Sequence, residues 1–333
     1  MTAAQPGPAF SDAAPIVTIF GGSGFVGRYV TQRMAQAGWR VRVAVRRPNE
    51  ALFVRQYGVV GQVEPMQANV RDDESCRRAV EGADAVVYCV GVLAQAGKNT
   101  FKAVQALGPE RVARLAAALG VGRFVLISAI GADQGSPAEY ARTKAAGERA
   151  TLQHFPKAVI LRPSIVFGAE DEFFNRFAGM ARLSPALPVV GAATKFQPVY
   201  VGDVAQAVEK ALTGVAEPGE TYELGGPRAA TFRELMELML GIIRRKRMIV
   251  DIPIPIAKVQ GYAFEQIARL GIAPPMTLDQ VKMLARDNVV GPKAKKLADL
   301  GIAPTAMEAV LPDYLYAYRP RGQFDRGADA PQP

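Results

Sequence analysis

Short apolar runs alternate with amphipathic stretches along the first 170 residues of the chain. The apolar runs, each suited to a buried parallel strand, are Ile16–Phe20, Trp39–Val45, Gln62–Ala68, Ala85–Val90, Phe124–Ser128 and Ala158–Phe167. The helical stretches between them run from the glycine-rich segment to Ala37 and across Asp72–Glu81, Phe101–Leu119 and Glu139–Thr151. This order predicts an α/β fold, a doubly wound parallel sheet with helices on both faces.

The second half of the chain has a different character, because prolines interrupt it repeatedly. Thr231 and Glu234 have the spacing of a capping box, which predicts a helix that ends in the basic run Arg244–Arg247. We expect a nucleotide-binding domain of residues 15–168 plus roughly 196–226. A smaller C-terminal domain would comprise residues 169–195 and 227–320. Residues 1–14 and 321–333 are predicted to be disordered tails.

The composition narrows the class of protein. Of 333 residues, 49% are apolar and 21% are charged, which is typical of a folded domain. The N-terminus lacks the basic and apolar regions of a signal peptide, and no apolar run reaches the roughly 18 residues of a transmembrane helix. With two cysteines and a single histidine, His154, the chain offers little for a disulfide framework, a metal site or a Ser-His-Asp triad. No metal is therefore expected.

The charge of the chain favours acidic partners. Forty basic residues against 31 acidic ones give a net charge of +9. Phosphates, an anionic membrane surface and an acidic protein all fit this excess. The basic residues are scattered and no basic-aromatic motif accompanies them, so nucleic acid is not expected.

A glycine-rich segment directly follows the first predicted strand and opens a helix. Gly21, Gly24 and Gly27 have the Gly-x-x-Gly-x-x-Gly spacing, which permits a tight turn, close approach of a pyrophosphate and packing of helix on strand. The free N–H groups of the helix N-terminus would face the phosphates. A tight turn without a ligand is the alternative, but the strand-loop-helix context favours binding. The predicted phosphate-binding residues are Gly21, Ser23, Gly24, Phe25, Val26 and Gly27.

The end of the second strand distinguishes NAD from NADP. An acidic residue there would hold the ribose hydroxyls of NAD, whereas this strand ends in Arg46 and Arg47 with no acid before Glu50. Arginines can bind a 2′-phosphate that a carboxylate would repel, so NADPH is the predicted cofactor. The alternative is that both arginines are solvated. Topology further places Asn69 and Val70 at the adenine edge, and Val90, Gly91 and Val92 near the middle of the cofactor.

Tyr140 and Lys144 lie one helical turn apart after the fifth strand. The ammonium could lower the pKa of the phenol and hold the nicotinamide ribose, which would make the phenol a general acid or base. Tyrosines and lysines are common in this chain, so the spacing alone is poor evidence. The position, beside the expected nicotinamide, is what favours a catalytic role.

Several segments between about residue 15 and residue 240 together resemble the extended and atypical short-chain dehydrogenase/reductases. They are the glycine loop, the Tyr140–Lys144 pair, Leu161–Gly168, and Asp203-Val204-Ala205 after Pro198–Tyr200. The resemblance implies that Pro163, Ser164 and Ile165 border the nicotinamide and that Tyr140 is catalytic. It also implies a hydroxyl residue just past the fifth strand to polarise the substrate. Ser128 lies slightly before the position where the family carries this hydroxyl, and Ala129 and Ile130 after it have none. We therefore expect the chain to bind the cofactor, but the residues do not imply turnover.

Residues 169–177, 195–199 and 314–320 are similar to the NADPH-binding alpha-subcomplex accessory subunits of respiratory complex I (NADH:ubiquinone oxidoreductase), in a bacterial form. This resemblance implies a structural and assembly subunit that holds NADPH without turning it over. Its partners would be other subunits of the peripheral arm near the membrane, with anionic lipid headgroups as a further partner. Its location would be peripheral, on the cytoplasmic side of a bacterial plasma membrane. A free-standing NADP-dependent reductase, epimerase or dehydratase and an NADPH-sensing regulator remain alternatives.

Two further features have both a structural and a functional interpretation. The acidic run Glu170–Glu172 is expected to be a solvated helix start above Phe173, Phe174 and Phe177. The aromatic tail Tyr314, Tyr316 and Tyr318 would either pack within the domain or, with Arg244–Arg247, form a docking surface. The docking interpretation predicts that a chain ending near Pro312 still folds.

Overall fold

The computed structural model describes residues 14–268 and 277–324 of the chain, without the side chains of residues 262–268 and 323. The predicted N-terminal tail lies outside the described residues except for Ala14. Of the predicted C-terminal tail, residues 321–324 are described, and Gly322–Phe324 form a 3₁₀ turn closed by a hydrogen bond from Phe324 N–H to the Arg321 carbonyl.

The described residues contain strands and helices in alternation. The strands are β1 (Ile16–Phe20), β2 (Arg40–Val45), β3 (Val63–Gln67), β4 (Ala85–Tyr88), β5 (Arg123–Ile127), β6 (Val159–Pro163), β7 (Val166–Phe167), β8 (Ala186–Val190), β9 (Lys195–Phe196), β10 (Val199–Tyr200), β11 (Thr221–Leu224), β12 (Ala230–Thr231) and β13 (Met248–Ile252). The α-helices are α1 (Phe25–Gln36), α2 (Asp73–Val80), α3 (Leu107–Ala118), α4 (Glu139–His154), α5 (Phe174–Leu183), α6 (Val201–Thr213), α7 (Phe232–Ile242), α8 (Ile254–Ala268), α9 (Leu278–Leu284), α10 (Met307–Val310) and α11 (Pro312–Leu315). Shorter 3₁₀ segments are Pro48–Tyr57, Leu297–Leu300 and Tyr316–Tyr318, and Lys102–Ala106 form a π-helical turn.

Seven strands form one sheet in the order β11-β6-β5-β4-β1-β2-β3. The pairs from β3 through β2, β1 and β4 to β5 are parallel, with Val17 of β1 opposite both Val41 and Ala85. The winding reverses at β1, which lies between β2 and β4. This confirms the predicted doubly wound α/β fold and puts the glycine loop at the topological switch point, where such sheets bind their ligands.

The chain divides into two compact units. Unit 1 is formed by the described residues of Met1–Ile127, Ala146–Ile160 and Ala205–Glu220, and unit 2 by those of Ser128–Ala145, Leu161–Val204 and Thr221–Pro333. Residues 128–145 and 161–168, which the sequence assigned to the nucleotide-binding domain, cluster with unit 2. The division into domains by function stays a prediction.

The core of unit 1 follows from the apolar runs. Val17, Ile19 and Phe20 of β1 are fully buried, because a central parallel strand is covered on both faces. The predicted helix from residue 101 to 119 is interrupted by its π-helical turn. There the hydroxyl of Tyr88 donates to the Val104 carbonyl, within the π-helical turn, at 2.6 Å.

The core of unit 2 is an aromatic cluster. Phe232 at the start of α7 lies 5.4 Å, centroid to centroid, from both Phe173 and Phe177, and Phe196 lies 5.6 Å away. Thr231 closes the predicted capping box with Glu234, which confirms where α7 begins. The long strand predicted across residues 158–167 is split into two, because β7 leaves the large sheet and pairs with β10.

The acidic run before α5 is solvated at Glu170 and Glu172, as its composition suggested, but not at the residue between them. Asp171 is only 3% exposed. Its carboxylate accepts the hydroxyl of Tyr314 and the backbone N–H groups of Gly168 and Asn175. Burial raises the pKa of Asp171, and these three bonds oppose the rise. The expectation of a solvated carboxylate is therefore wrong at this position.

The C-terminal segment is part of the same core. Leu311 and Leu315 are fully buried in the aromatic cluster, and the hydroxyl of Tyr318 donates to Asn175 Oδ1 at 2.9 Å. Further upstream, the Asp203 carboxylate accepts the N–H and hydroxyl of Thr305 at 2.7 and 2.8 Å. Of the two interpretations of the aromatic tail, packing within the unit is the one observed for Tyr314 and Tyr318.

Candidate functional site

The glycine loop of unit 1 is shaped by close backbone contacts. Gly21 has φ +78°, a region that favours glycine, and a Cβ there would lie 3.1 Å from Val90 Cγ2. A Cβ on Gly27 would lie 2.1 Å from the Gly21 carbonyl oxygen, so only glycine lets α1 begin this close to the strand. The first and third glycines therefore build the turn, as their spacing predicted.

The second glycine leaves room for a ligand. Gly24 is the N-cap of α1, and a Cβ there would meet a single atom, the Gly21 oxygen at 3.3 Å. No side chain caps this helix and no acidic residue stands in its first turn. The uncapped N–H groups of a helix N-terminus attract anions. The residues present therefore fit a nucleotide pyrophosphate at the loop of Gly21, Ser23, Gly24, Phe25, Val26 and Gly27.

The carboxyl end of β2 carries two exposed arginines in different situations. Arg47 forms an ion pair with Glu50 at 2.9 Å, with both side chains mostly exposed. Such a surface pair contributes only about 0–1 kcal/mol, so a phosphate could displace it. Arg46 is exposed, and its side chain makes no hydrogen bond or ion pair within the described residues. Arg46 is thus the better placed of the two predicted phosphate ligands.

Sequence reasoning missed a third arginine beside this loop. Arg28, in the first turns of α1, donates to the Ser23 carbonyl at 3.3 Å, and its guanidinium lies 5.0 Å from the ring centroid of Phe53. It thereby joins the glycine loop to the segment after β2. Its position directly after Gly27 was the available signal.

The loops after β3 and β4 are held by hydrogen bonds within unit 1. Asn69 Oδ1 accepts the N–H of Arg71 at 3.1 Å, and the Val70 carbonyl accepts Arg111 Nη1 at 2.7 Å. The Val92 carbonyl accepts Gln105 Nε2 at 2.6 Å, and Gln105 is buried in the π-helical turn. Gly91 lies between Val90 and Val92 in an exposed position. The predicted adenine and mid-cofactor residues thus stand on fixed loops at the strand ends.

In unit 2, Tyr140 and Lys144 share one face of α4, as predicted. Lys144 is buried and its Nζ lies 6.0 Å from the centroid of the Tyr140 ring. The start of this helix is capped from far along the chain. The Asp279 carboxylate accepts the N–H of Glu139 at 2.7 Å and that of Tyr140 at 2.9 Å.

The proton on Tyr140 is held more tightly than the sequence suggested. Burial raises the pKa of Tyr140 to about 12. The net lowering expected from Lys144 is not observed, because desolvation of the phenolate dominates. A phenol with this pKa is protonated at neutral pH. It can donate a hydrogen bond or a proton, and it is a poor general base.

Ser128 and the segment after β6 complete the predicted residues of unit 2. Ser128 is buried, and its hydroxyl has no hydrogen-bond partner in the described part of the chain. Ser164 Oγ lies 2.7 Å from Asn288 Oδ1, and Asn288 Nδ2 donates to the Ile130 carbonyl at 3.1 Å. The Ser164 hydroxyl is thus already engaged. Cofactor contacts by Ser128, Pro163, Ser164 and Ile165 stay predictions.

Asp279 and Asn288 are residues that sequence reasoning missed. Both belong to the segment that begins with the capping box of Thr277 and Gln280. The capping box marks a helix, but no sequence pattern links it to α4, 140 residues earlier. Among the described residues, no group of three or more His, Cys, Asp or Glu side chains could hold a metal ion.

Comparison with known proteins identifies relatives over almost the whole chain. The model of the NAD dependent epimerase/dehydratase family matches residues 17–225. The mitochondrial NADH dehydrogenase [ubiquinone] 1 alpha subcomplex subunit 9 of Arabidopsis thaliana is 34% identical over 92% of this chain and 79% of its own. The mitochondrial NADH-ubiquinone oxidoreductase 40 kDa subunit of Neurospora crassa is 31% identical over 92% of this chain and 80% of its own.

Solved structures share the fold at lower identity. An NADPH-dependent quinone oxidoreductase of Escherichia coli, complexed with NADPH, has a TM-score of 0.70 at 17% identity, covering 90% of this chain and 98% of its own. A dTDP-glucose 4,6-dehydratase of Streptomyces venezuelae with NAD bound has a TM-score of 0.68 at 20% identity, covering 91% and 96%. These neighbours hold different nucleotides, so they do not decide between NAD and NADP.

The predicted location on a bacterial plasma membrane is contradicted by these relatives, which are mitochondrial proteins of eukaryotes. No helix within residues 14–268 and 277–324 is long and apolar enough to cross a membrane. The family match spans more than half of the chain, and the named relatives align along nearly all of it. The chain belongs to the NAD dependent epimerase/dehydratase family, and within it to the group of the alpha subcomplex subunit 9 of NADH dehydrogenase.

Proposed function

We propose that this protein is an NADPH-binding accessory subunit of respiratory complex I that supports assembly and does not turn its nucleotide over. The observation that carries the proposal is the similarity, at 31–34% identity over 92% of the chain, to proteins named as subunits of NADH dehydrogenase. The partners are then other subunits of complex I, in the peripheral arm near the membrane, with anionic lipid headgroups as a second partner.

The geometry of unit 1 supports NADPH as the bound nucleotide. The loop at Gly24 leaves space for a pyrophosphate beside an uncapped helix N-terminus. Arg46 provides an exposed cation at the end of β2, where NAD-binding chains carry an acid. A 2′-phosphate has about −1.5 to −2 charges near neutral pH, like other phosphate monoesters, and gains charge-assisted hydrogen bonds from arginine.

The geometry of unit 2 supports a nucleotide that is held and not consumed. Ser128 is buried, and Ala129 and Ile130 after it offer no hydroxyl to polarise a substrate carbonyl. Burial raises the pKa of Tyr140 to about 12, which makes it a poor general base at neutral pH. Binding roles for Tyr140 and Lys144 on the nicotinamide side rest on the family resemblance.

A second candidate, a reductase of a small carbonyl or quinone substrate, is favoured by one observation. A protonated phenol is the form of Tyr140 that could deliver a proton to a carbonyl oxygen as it receives a hydride. Incubation of the purified protein with NADPH and a panel of quinones and aldehydes would reveal this activity as loss of absorbance at the reduced nicotinamide band. Turnover that disappears in Tyr140→Phe would establish the reductase and overturn the proposal.

The proposal itself is tested in membranes of the source organism. A tagged chain is solubilised in mild detergent and separated on a native gel that is stained for NADH dehydrogenase activity. The proposal predicts that the chain migrates with the active band and that acid or alkaline extraction of that band releases NADPH or NADP⁺ in about equal amount to the chain. A chain that migrates alone, or a band that releases neither nucleotide, would refute it.

A further inference from the structure

Unit 2 carries a basic groove at the end of α7. The groove has a volume of about 630 Å³, and its charged lining consists of Arg233, Glu237, Arg244, Arg245, Lys246 and Arg247. Five cations thus face one carboxylate. None of these residues belongs to the glycine loop or to the Tyr140–Lys144 pair, so the groove is formed by other residues than those predicted to bind the nucleotide.

Two of the arginines are fixed in place by the fold. Arg245 Nε donates to the Tyr318 carbonyl at 2.8 Å, and Arg247 Nε donates to the Ala181 carbonyl at 2.7 Å. Each bond uses the inner nitrogen of the guanidinium, and Arg247 Nη1 also donates to the Lys246 carbonyl at 3.0 Å. Arg244 has φ +54°, the one left-handed non-glycine backbone among the described residues. Such a conformation is uncommon and often accompanies function.

Exposed aliphatic side chains adjoin the groove. Met248 follows Arg247 directly and is 67% exposed. Its N–H donates to the Pro185 carbonyl, which brings it near Leu183, two residues before Pro185. Leu183 is 91% exposed. The same strand, β13, leads into α8, whose Ile256 and Val259 are also exposed. α8 packs on the end of β8 and β13 through a small cluster that includes Val190, Ile252 and Ala257. Leu183 and Met248 therefore lie beside the basic groove.

We propose that this surface binds the anionic headgroups of a phospholipid bilayer. Arg233, Arg244 and Lys246 would contact phosphates, while Leu183 and Met248 would enter the boundary between headgroups and acyl chains. A basic face bordered by aliphatic side chains is the composition of a peripheral membrane-binding surface, and each cation near an anionic leaflet adds to the affinity. This inference deepens the proposed function by locating its lipid-binding surface. Binding of the isolated chain to vesicles does not depend on assembly of complex I. The lipid-binding proposal and the proposed function can therefore fail separately.

The test is sedimentation of the purified full-length protein with vesicles. One set of vesicles is pure phosphatidylcholine and the other contains 30 mol%, roughly a third, of an anionic phospholipid. The double variant Arg233→Gln/Lys246→Gln removes two cations and spares the structural bonds of Arg245 and Arg247. The matched control Lys98→Gln/Lys102→Gln removes two exposed cations from unit 1. Thermal unfolding of each variant checks that it folds.

We expect wild-type protein to bind the anionic vesicles and to release them as salt rises. The groove variant should bind roughly 25-fold more weakly, about five-fold for each cation, and the Lys98/Lys102 control should bind like wild type. Leu183→Ser should weaken binding about ten-fold, the loss expected for one buried aliphatic side chain. Equal affinity of the groove variant and wild type would overturn the proposal. The proposal would also be overturned if wild-type protein did not bind anionic vesicles and the groove variant failed to join the complex. That result would indicate that the groove binds an acidic protein instead.

Discussion

The hydrogen bond between Tyr314 and Asp171 should stabilise unit 2 measurably. Tyr314→Phe removes one hydroxyl and leaves a buried carboxylate with one donor fewer. A hydrogen bond to a charged group contributes about 1.5–3 kcal/mol, and the cost is greatest when the remaining partner stays buried. We therefore expect Tyr314→Phe to lower the free energy of unfolding by about 2 kcal/mol near neutral pH. Tyr316→Phe is the control, because Tyr316 is exposed, and its loss should change the free energy of unfolding by less than about 0.5 kcal/mol.

The loss of stability caused by Tyr314→Phe should depend on pH in a defined direction. The pKa of Asp171 is raised in the folded protein, so its contribution to stability is fully present below the pKa of the unfolded chain and is lost as pH rises through the folded pKa. The Tyr314 hydroxyl opposes that rise by stabilising the charged form. Tyr314→Phe should therefore cost most near neutral pH and less at acid pH, where Asp171 is protonated. In the background of Asp171→Asn, which carries no charge, the pH dependence of the cost should disappear.

Urea unfolding followed by circular dichroism at both pH values measures these differences. Identical unfolding midpoints for Tyr314→Phe and wild type at neutral pH would show that the pair does not stabilise the fold.

The same structure predicts that a chain ending near Pro312 is less stable, because it lacks the buried side chain of Leu315 as well as Tyr314. Burial of one leucine contributes about 1.5–3 kcal/mol, so the combined loss is a large part of a typical domain's stability. This replaces the expectation that the truncated chain folds normally.

Three further changes test the nucleotide-binding residues and the helix that carries the candidate phenol. Arg46→Asp should weaken NADPH binding roughly 10- to 100-fold and NADH binding far less, as measured by titration of nucleotide fluorescence, and equal affinity of the wild-type chain for both nucleotides would contradict NADP selectivity. Asp279→Ala should cost about 0.5–2 kcal/mol of stability in urea because it uncaps the helix of Tyr140, and Asp279→Asn should recover part of that loss. Gly27→Ala should destabilise the protein and abolish nucleotide binding through its 2.1 Å backbone clash, whereas Gly24→Ala, with one protein contact at 3.3 Å, should fold like wild type and weaken nucleotide binding because its methyl group enters the space expected for the pyrophosphate.

The parts of the fold that the sequence predicts are those encoded in local patterns. Ile16–Phe20 reads as a buried strand because every residue in it is apolar or β-branched, and it is β1 as observed. The glycine spacing at Gly21, Gly24 and Gly27 predicts the loop, because a side chain at any of the three positions would fill space that the turn, the ligand or the helix needs. The capping box at Thr231 predicts where α7 begins, because its two hydrogen bonds involve residues only three apart.

The parts that the sequence does not predict depend on distant contacts. Three acids in a row at Glu170–Glu172 resemble a solvated surface, and the burial of Asp171 depends in part on the hydroxyl of Tyr314, which lies 143 residues further along the chain. The raised pKa of Tyr140 follows from its burial, and the spacing between Tyr140 and Lys144 in the sequence does not predict that burial. Asp279 caps α4 from 140 residues further along the chain, a relation without a sequence period.

The central claim is that the nucleotide is structural, and one comparison within the assembled complex tests it most directly. Gly24→Glu places a side chain and a negative charge where the pyrophosphate is expected, while Tyr140→Phe removes only the hydroxyl of the candidate catalytic residue. The measurement is quinone-dependent NADH oxidation by membranes, normalised to the amount of assembled complex, together with its extracted NADPH. The account predicts that Gly24→Glu loses both nucleotide and assembled complex, and that Tyr140→Phe keeps the wild-type rate and nucleotide content. A large fall in the rate of Tyr140→Phe, with assembly and nucleotide intact, would contradict it.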